Sequence, residues 1–145
     1  MANVERNAHV EWDGDLASGN GTVSEGSGVL TDSPVTFAAR TGQPDGKTSP
    51  EELIAAAHAT CYAMALSHTL AGQGNAPEHL TVDAVCTLDD EQLKITTVDL
   101  NVRGRVAGLD TDAFENAARE AEQICPVSNA LRNNVDIRLN TSLEG

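Results

Sequence analysis

Two cysteines in unusual settings are the residues of this sequence that could carry chemistry. Cys61 lies in the middle of AAAHATCYAMALSHTL, which spans residues 55–70 without a charge, and Cys125 directly precedes Pro126 in AEQICPVSNAL. In a reducing compartment a pair of cysteines would be catalytic or redox-sensing before it was structural. A cysteine among alanines is also often a small hydrophobic filler, so both interpretations of Cys61 stay open. We interpret the third cysteine, Cys86, as a core residue.

The uncharged segment carries the signals of a long helix. Ser49 is a suitable N-cap, Pro50 suits the first helical position, and Glu52 follows Ser49 by three residues, which predicts a capping box. The helix is predicted to run from Pro50 to about Ala71 and to end at GQG, with Gly72 in the left-handed cap conformation. Because it is apolar nearly all round, we expect it in the centre of the fold.

A long hairpin is predicted after this helix. Apolar residues alternate from Leu80 to Leu88, which places Cys86 on the core face of a strand. The chain turns at DDEQ and returns from Leu93 to Val106, where the apolar residues change parity. A bulge near Thr96 or Thr97 would account for that change.

The remaining segments complete an α+β fold. Short apolar runs between glycines in HVEWDGDLASGNGTVSEGSGVL predict two or three strands, and a third strand is predicted at residues 35–39. DTDAFENAAREAEQI predicts a helix, Cys125 and Pro126 then cap and begin a short helix over PVSNALRN, and residues 135–139 predict a last strand. We expect residues 1–145 to form a single domain with the strands first, then the central helix, the hairpin and two helices.

Composition excludes several classes of partner. The chain has 145 residues with 9 basic and 22 acidic side chains, a formal net charge of −13, which disfavours nucleic acid and anionic membrane surfaces. The segment MANVERNAHVEW lacks the pattern of a secretory signal, and three widely spaced cysteines do not form a secreted disulfide framework. We therefore expect a cytoplasmic protein. No phosphate loop or flavin fingerprint is present, so we expect no cofactor.

The cysteine motifs and their surroundings resemble a known family. TSPEELIAAAHATCYAMALS and AEQICPVSNAL, with HVEWDGDL, SGNGTVSEGSGVL and FAAR upstream, are similar in order and spacing to the OsmC/Ohr family of osmotically inducible and organic hydroperoxide resistance proteins. The two cysteines are 64 positions apart. FAAR, which contains Arg40, points to the OsmC branch.

The resemblance implies a thiol peroxidase that reduces organic hydroperoxides to alcohols. It implies a reactive cysteine at Cys61 and a resolving cysteine at Cys125, which form a disulfide, and site residues at Arg40 and Glu51. It also implies an OsmC-like fold, an intertwined homodimer with its sites at the subunit interface, and a lipoyl-type or small dithiol as reductant.

The chemistry of such a site explains these residue types. A thiolate attacks the peroxide, burial raises the pKa of a thiol, and a cation such as Arg40 reverses that shift. Glu51 would fix the guanidinium bidentately. Ten helical residues between Glu51 and Cys61 span about 15 Å, so we expect the partner's glutamate to serve each cysteine.

An apolar wall beside Cys61 would favour alkyl hydroperoxides over hydrogen peroxide. We expect Tyr62, Phe37 and Met64 to contribute to this substrate pocket.

Two alternatives use the same residues differently. His58, Cys61, Cys125 and His68 could form a zinc site, although structural zinc usually has close-set cysteine pairs in loops, and we expect no metal. A non-enzymatic thiol redox sensor, or a stress-induced structural dimer, would share the cysteine chemistry. Turnover distinguishes them, because a sensor is oxidised once.

Overall fold

The computed structural model describes residues 3–144, and within that range the chain has six strands and four helices. It divides into two compact units, one up to Leu53 and the other from Ile54 onward, so that the boundary falls inside the longest helix. The α+β fold class is confirmed. The single domain stays a prediction.

The first unit contains an antiparallel sheet with the order β1-β2-β3 and a short helix. Its elements are β1 Ala8–Asp13, β2 Asn20–Glu25, β3 Ser33–Val35 and α1 Phe37–Thr41. The predicted strand over residues 35–39 is wrong, because Thr36 ends the extended chain and caps a helix. Its hydroxyl accepts a hydrogen bond from the backbone N–H of Ala39 at 3.1 Å, which satisfies one of the free donors at the helix start.

The second helix, α2 Pro50–Gly72, begins where the capping residues predict. The Ser49 hydroxyl accepts a hydrogen bond from the backbone N–H of Glu52 at 3.1 Å, which confirms Ser49 as the N-cap. The Glu52 carboxylate accepts from the Thr48 hydroxyl at 2.9 Å. This bond replaces the one that a capping box would have between the Glu52 side chain and the backbone N–H of Ser49.

The left-handed cap at the carboxyl end of α2 lies two residues later than predicted. Gly72 remains helical, and Gly74 takes the left-handed conformation with φ +84°. The N–H of Gly74 bonds to the Ala71 carbonyl at 3.0 Å and the N–H of Asn75 to the Leu70 carbonyl at 2.9 Å. This pair of bonds is a Schellman motif, so the prediction of Gly72 as the cap is wrong and Gly74 has that role.

The two glycines provide a matched test of that assignment. A Cβ at either position meets nothing within 4 Å, so only backbone conformation separates them. We expect Gly74→Ala to lower the free energy of unfolding by about 1 kcal/mol, and Gly72→Ala to raise it by about 0.5–1 kcal/mol. Urea unfolding of both variants measures the difference, and equal shifts would contradict the assigned cap.

One face of α2 lies in the core and the opposite face is open. His58, Tyr62, Leu66 and Leu70 are fully buried. The open α2 face consists of small and apolar side chains with one hydroxyl and one imidazole: Ala56, Ala57, Thr60, Met64, His68 and Ala71. The expectation that α2 lies in the centre of the fold is thus correct for only one of its faces.

The second unit contains a sheet with the order β4-β5-β6. Its strands are β4 His79–Asp89, β5 Lys94–Arg105 and β6 Asp136–Leu143, of which β4 is antiparallel and β6 parallel to β5. Thr87 pairs with Thr97 and Leu88 with Ile95, which leaves Thr96 as the extra residue. The predicted bulge is confirmed. Cys86 is partly buried and packs against the core, also as predicted.

Two helices join β5 to β6. These are α3 Thr111–Ile124, capped by Asp110, and α4 Pro126–Leu131, for which Cys125 is the N-cap residue and Pro126 the first helical position, as predicted. The apolar face of α3 packs in the same core as α2 and β5. Gly104 of β5 allows this approach, because a Cβ there would lie 2.5 Å from the Phe114 ring.

Candidate active site

The structure brings Cys61 and Cys125 into contact. Cys61 projects from the middle of α2 and is partly buried, and Cys125, at the start of α4, is fully buried. Their side chains are in hydrogen-bonding contact, and the backbone N–H of Val127 donates to the Cys61 sulfur. Both are unbridged thiols. The fold therefore places two cysteines from distant parts of the sequence where one sulfur can react with the other.

The surroundings of Cys61 disfavour its thiolate. Burial is the largest effect and raises the pKa of the Cys61 thiol, the Val127 N–H lowers it, and Cys125 raises it again, for a net upward shift. A thiol in this condition is mostly protonated at neutral pH and reacts slowly with peroxides. Efficient attack therefore requires a further positive group beside the sulfur.

Arg40 and Glu51 form a bidentate ion pair within the first unit. Arg40 Nε donates to Glu51 Oε1 at 2.9 Å, and Arg40 Nη2 donates to Glu51 Oε2 at 2.8 Å. Glu51 is buried and Arg40 is about one-third exposed. The hydrogen bonds to Glu51 raise the pKa of Arg40, so its charge is permanent. The pair fixes a guanidinium with part of its surface still free to meet another group.

An apolar pocket of about 220 Å³ lies beside Arg40 in the same unit. Phe37 lines it, and Arg40 is its only charged lining residue among the described ones. Its apolar side chains come from β1, β2, β3 and the start of α2, together with the segments that join them: Val10, Trp12, Leu16, Val23, Val35, Pro50 and Leu53. Such a pocket suits an alkyl group next to a cation.

The other two expected pocket residues lie elsewhere. Tyr62 is fully buried in the core, and its hydroxyl donates to the Ala118 carbonyl at 2.8 Å. Its position on α2, next to Cys61, turns it toward α3, so it is a core residue rather than a pocket wall. Met64 is 68% exposed on the open α2 face, away from this pocket.

His58 and Ser128 join the helices that carry the two cysteines. Both are fully buried, and His58 Nε2 lies 2.7 Å from Ser128 Oγ. Burial lowers the pKa of His58, so the imidazole is neutral. The sequence offered His58 as a possible zinc ligand and as a neighbour of Cys61 on one helix face, but not as a partner of Ser128. Its spacing of three residues before Cys61, mirrored by Ser128 three residues after Cys125, is the signal that could have indicated the pair.

Residues 3–144 hold neither a metal-binding cluster nor a membrane-spanning helix. No group of three or more His, Cys, Asp or Glu side chains in this range is arranged to hold a metal ion. None of its helices is long and apolar enough to cross a membrane.

Comparison with known proteins identifies relatives over nearly the whole chain. Residues 42–140 match a family model described as OsmC-like protein. The chain is 39% identical to the peroxiredoxin OsmC of Escherichia coli over 131 residues, 89% of this chain and 91% of that protein. It is 29% identical to the organic hydroperoxide resistance protein OhrB of Bacillus subtilis, over 82% of this chain and 87% of the relative.

A solved structure agrees with these sequence matches. The organic hydroperoxide resistance protein OsmC of Legionella pneumophila superposes with a TM-score of 0.74 at 27% identity, covering 98% of this chain and 99% of the other. The predicted resemblance is confirmed for both sequence and fold.

Proposed function

This chain belongs to the OsmC-like protein family, and on that premise we propose that it is a thiol-dependent peroxidase that reduces organic hydroperoxides through Cys61. The observation that carries the proposal is the contact between the Cys61 and Cys125 thiols. One thiol can be oxidised by a peroxide, and the other can resolve the product before further oxidation occurs.

The reaction has three steps. The Cys61 thiolate attacks one oxygen of the hydroperoxide, the S–O bond forms as the O–O bond breaks, and the alkoxide takes a proton and leaves as an alcohol. The Cys125 sulfur then attacks the Cys61 sulfenic acid, forming an S–S bond and releasing water. A dithiol, of the lipoyl type or a small molecule, reduces the Cys61–Cys125 disulfide and is itself oxidised to a disulfide.

Activation of Cys61 requires the Arg40–Glu51 pair of a second copy. Ten residues of α2 separate Glu51 from Cys61, a rise of about 15 Å, so a glutamate on the same helix is too distant to organise an arginine at that sulfur. The open α2 face has small side chains that permit close approach by a second α2. A homodimer with antiparallel α2 helices would bring each Arg40 to the partner's Cys61, where it would lower the pKa of the thiol and stabilise the leaving oxygen.

The apolar pocket predicts a preference for alkyl hydroperoxides. We expect kcat/KM for tert-butyl hydroperoxide to exceed that for hydrogen peroxide by at least about tenfold, because an alkyl group gains apolar contacts that hydrogen peroxide cannot make. Leu16 lines the pocket and is 60% exposed, so Leu16→Asn should lower this ratio without unfolding the chain. Val29→Asn is the control, at a position that is 82% exposed and not among the pocket residues. Equal kcat/KM values for the two peroxides in the wild type would contradict the pocket's role.

A thiol redox sensor is the second candidate, because a reactive thiol next to a resolving cysteine is also the arrangement of a redox sensor. Continuous assays with dihydrolipoamide as electron donor separate the two. An enzyme consumes many equivalents of tert-butyl hydroperoxide per subunit, whereas a sensor consumes one and stops. We expect continuous consumption. We also propose the cytoplasm as the location, where reducing conditions would keep such a dithiol available.

A further inference from the structure

The hydrogen bond between His58 and Ser128 connects the two helices that carry the reacting sulfurs. His58 lies on α2 one turn before Cys61, and Ser128 lies on α4 three residues after Cys125. Both side chains are fully buried and their polar atoms are 2.7 Å apart. A short buried bond at this place restrains the distance between the start of α4 and the middle of α2.

We propose that the His58–Ser128 bond positions Cys125 for the resolving step, an inference that rests on the proposed peroxidase function. The step forms the Cys61–Cys125 S–S bond and breaks the S–O bond of the sulfenic acid. The oxygen leaves as water with the proton of the Cys125 thiol. Because a second peroxide can oxidise the waiting sulfenic acid to sulfinic acid, the approach of Cys125 decides which product forms.

Other contacts also hold α4 in place. This helix has six residues, and its N-cap residue, Cys125, makes no side-chain capping bond. Arg132, the residue after α4, donates to the carbonyl and carboxylate oxygens of Glu122 at 2.8 and 2.7 Å, which ties this end to α3. Tyr62 ties α2 to α3. Two contacts join α2 directly to α4: the Val127 N–H donates to the Cys61 sulfur, and the His58–Ser128 bond links the side chains one turn away on α2.

The unpartnered Nδ1 of His58 supports a role for its Nε2. His58 Nδ1 is buried and has no hydrogen-bond partner among the described residues. A buried polar atom without a partner destabilises the fold. An apolar side chain would avoid that cost, so the presence of histidine indicates that Nε2 contributes something an apolar residue could not.

The test separates positioning from general stability by measuring how oxidised Cys61 is partitioned. Ser128→Ala removes the hydroxyl, His58→Asn places its amide near the position of Nδ1 and abandons that of Nε2, and His58→Gln restores a polar group near Nε2. After limited tert-butyl hydroperoxide, mass spectrometry follows the sulfenic acid, the disulfide and the sulfinic acid over time. His79→Asn, the same substitution at an exposed position of β4, is the control.

We expect the first oxidation in Ser128→Ala and His58→Asn to stay within about twofold of the wild type. Disulfide formation should slow by about tenfold or more, because small displacements of a reacting group have large effects on rate. The sulfinic fraction should rise accordingly, and His58→Gln should recover most of the disulfide rate.

An unchanged ratio of disulfide to sulfinic acid in Ser128→Ala and His58→Asn would overturn the positioning role, even if urea unfolding showed both to be less stable. Absence of sulfenic acid and disulfide in the wild type would overturn the proposed peroxidase function and this proposal with it. The two failures are therefore distinguishable.

Discussion

Cys61→Ser is expected to abolish peroxide turnover, with a loss of about a thousandfold or more, because a serine hydroxyl cannot accept an oxygen atom from a peroxide. The contact between the two thiols makes Cys125→Ser the informative companion. That variant should oxidise once and then stop, since Cys61 can still form a sulfenic acid that no neighbouring sulfur resolves. Consumption of tert-butyl hydroperoxide with dihydrolipoamide measures turnover, and dimedone labelling detects the sulfenic acid.

Cys86→Ala is the matched control for the cysteine variants. Cys86 lies on β4 and packs against the core, so its replacement should keep turnover within about twofold, the effect of a modest packing change. Continuous turnover by Cys61→Ser would contradict the assignment of the reactive cysteine. Dimedone labelling at a cysteine other than Cys61 in Cys125→Ser would do so as well.

Local signals in the sequence predicted those features that depend on neighbouring residues. Ser49 and Pro50 mark the start of α2 because N-cap and first-position preferences act over three or four residues. The change of parity before Val98 predicted a bulge near Thr96 or Thr97, since side-chain alternation in a strand has a period of two, and the structure has it at Thr96. The cap and first residue of α4 were predictable for the same reason.

Features that depend on competition between neighbouring signals were missed. The apolar run after Pro34 resembles a strand, but a single hydroxyl at Thr36 turns it into the five-residue helix α1. That helix is too short to show a helical period. At the end of α2, the sequence GQG offered two glycines, and the bonds that select Gly74 depend on where the last carbonyls of the helix point.

The sequence could propose residues for the candidate site, but it could not give their geometry. His58 and Ser128 are 70 residues apart in the chain, so their bond arises only from the packing of α2 against α4. The Arg40–Glu51 pair was expected from the family resemblance, but α1, which carries the arginine, was not. Tyr62 was misplaced because helical neighbours of a site residue point in different directions.

The pKa of the Cys61 thiol should depend on Arg40 of a second copy in the proposed homodimer. Its pKa is raised by burial and by Cys125, and the Val127 N–H only partly offsets this. A guanidinium beside the sulfur would stabilise the thiolate and lower that pKa. Removal of the guanidinium leaves the raised pKa, so the thiolate fraction at neutral pH falls and recovers only as the pH increases.

Arg40→Leu is therefore expected to lower kcat/KM by about 10²–10³-fold, the effect of removing a preorganised donor to a developing oxyanion. The pH midpoint for alkylation of Cys61 by iodoacetamide should move upward in the same variant. Arg40→Lys should recover only part of the activity, because a lysine cannot reproduce the two bonds of 2.9 and 2.8 Å to Glu51. An unchanged alkylation profile in Arg40→Leu would contradict the role of the guanidinium.

Mixed forms of the proposed homodimer test which copy supplies the guanidinium. Cys61→Ser and Arg40→Leu homodimers should each be nearly inactive. If Arg40 serves the partner's Cys61, a heterodimer of the two variants contains one site with both residues intact and one site with neither, so it should regain about half of the wild-type activity. If Arg40 served the cysteine of its own chain, every site of the heterodimer would lack one essential residue and activity would stay absent. Co-expression with two different affinity tags isolates this heterodimer, and its rate decides between the two arrangements because no other pairing of intact residues is present.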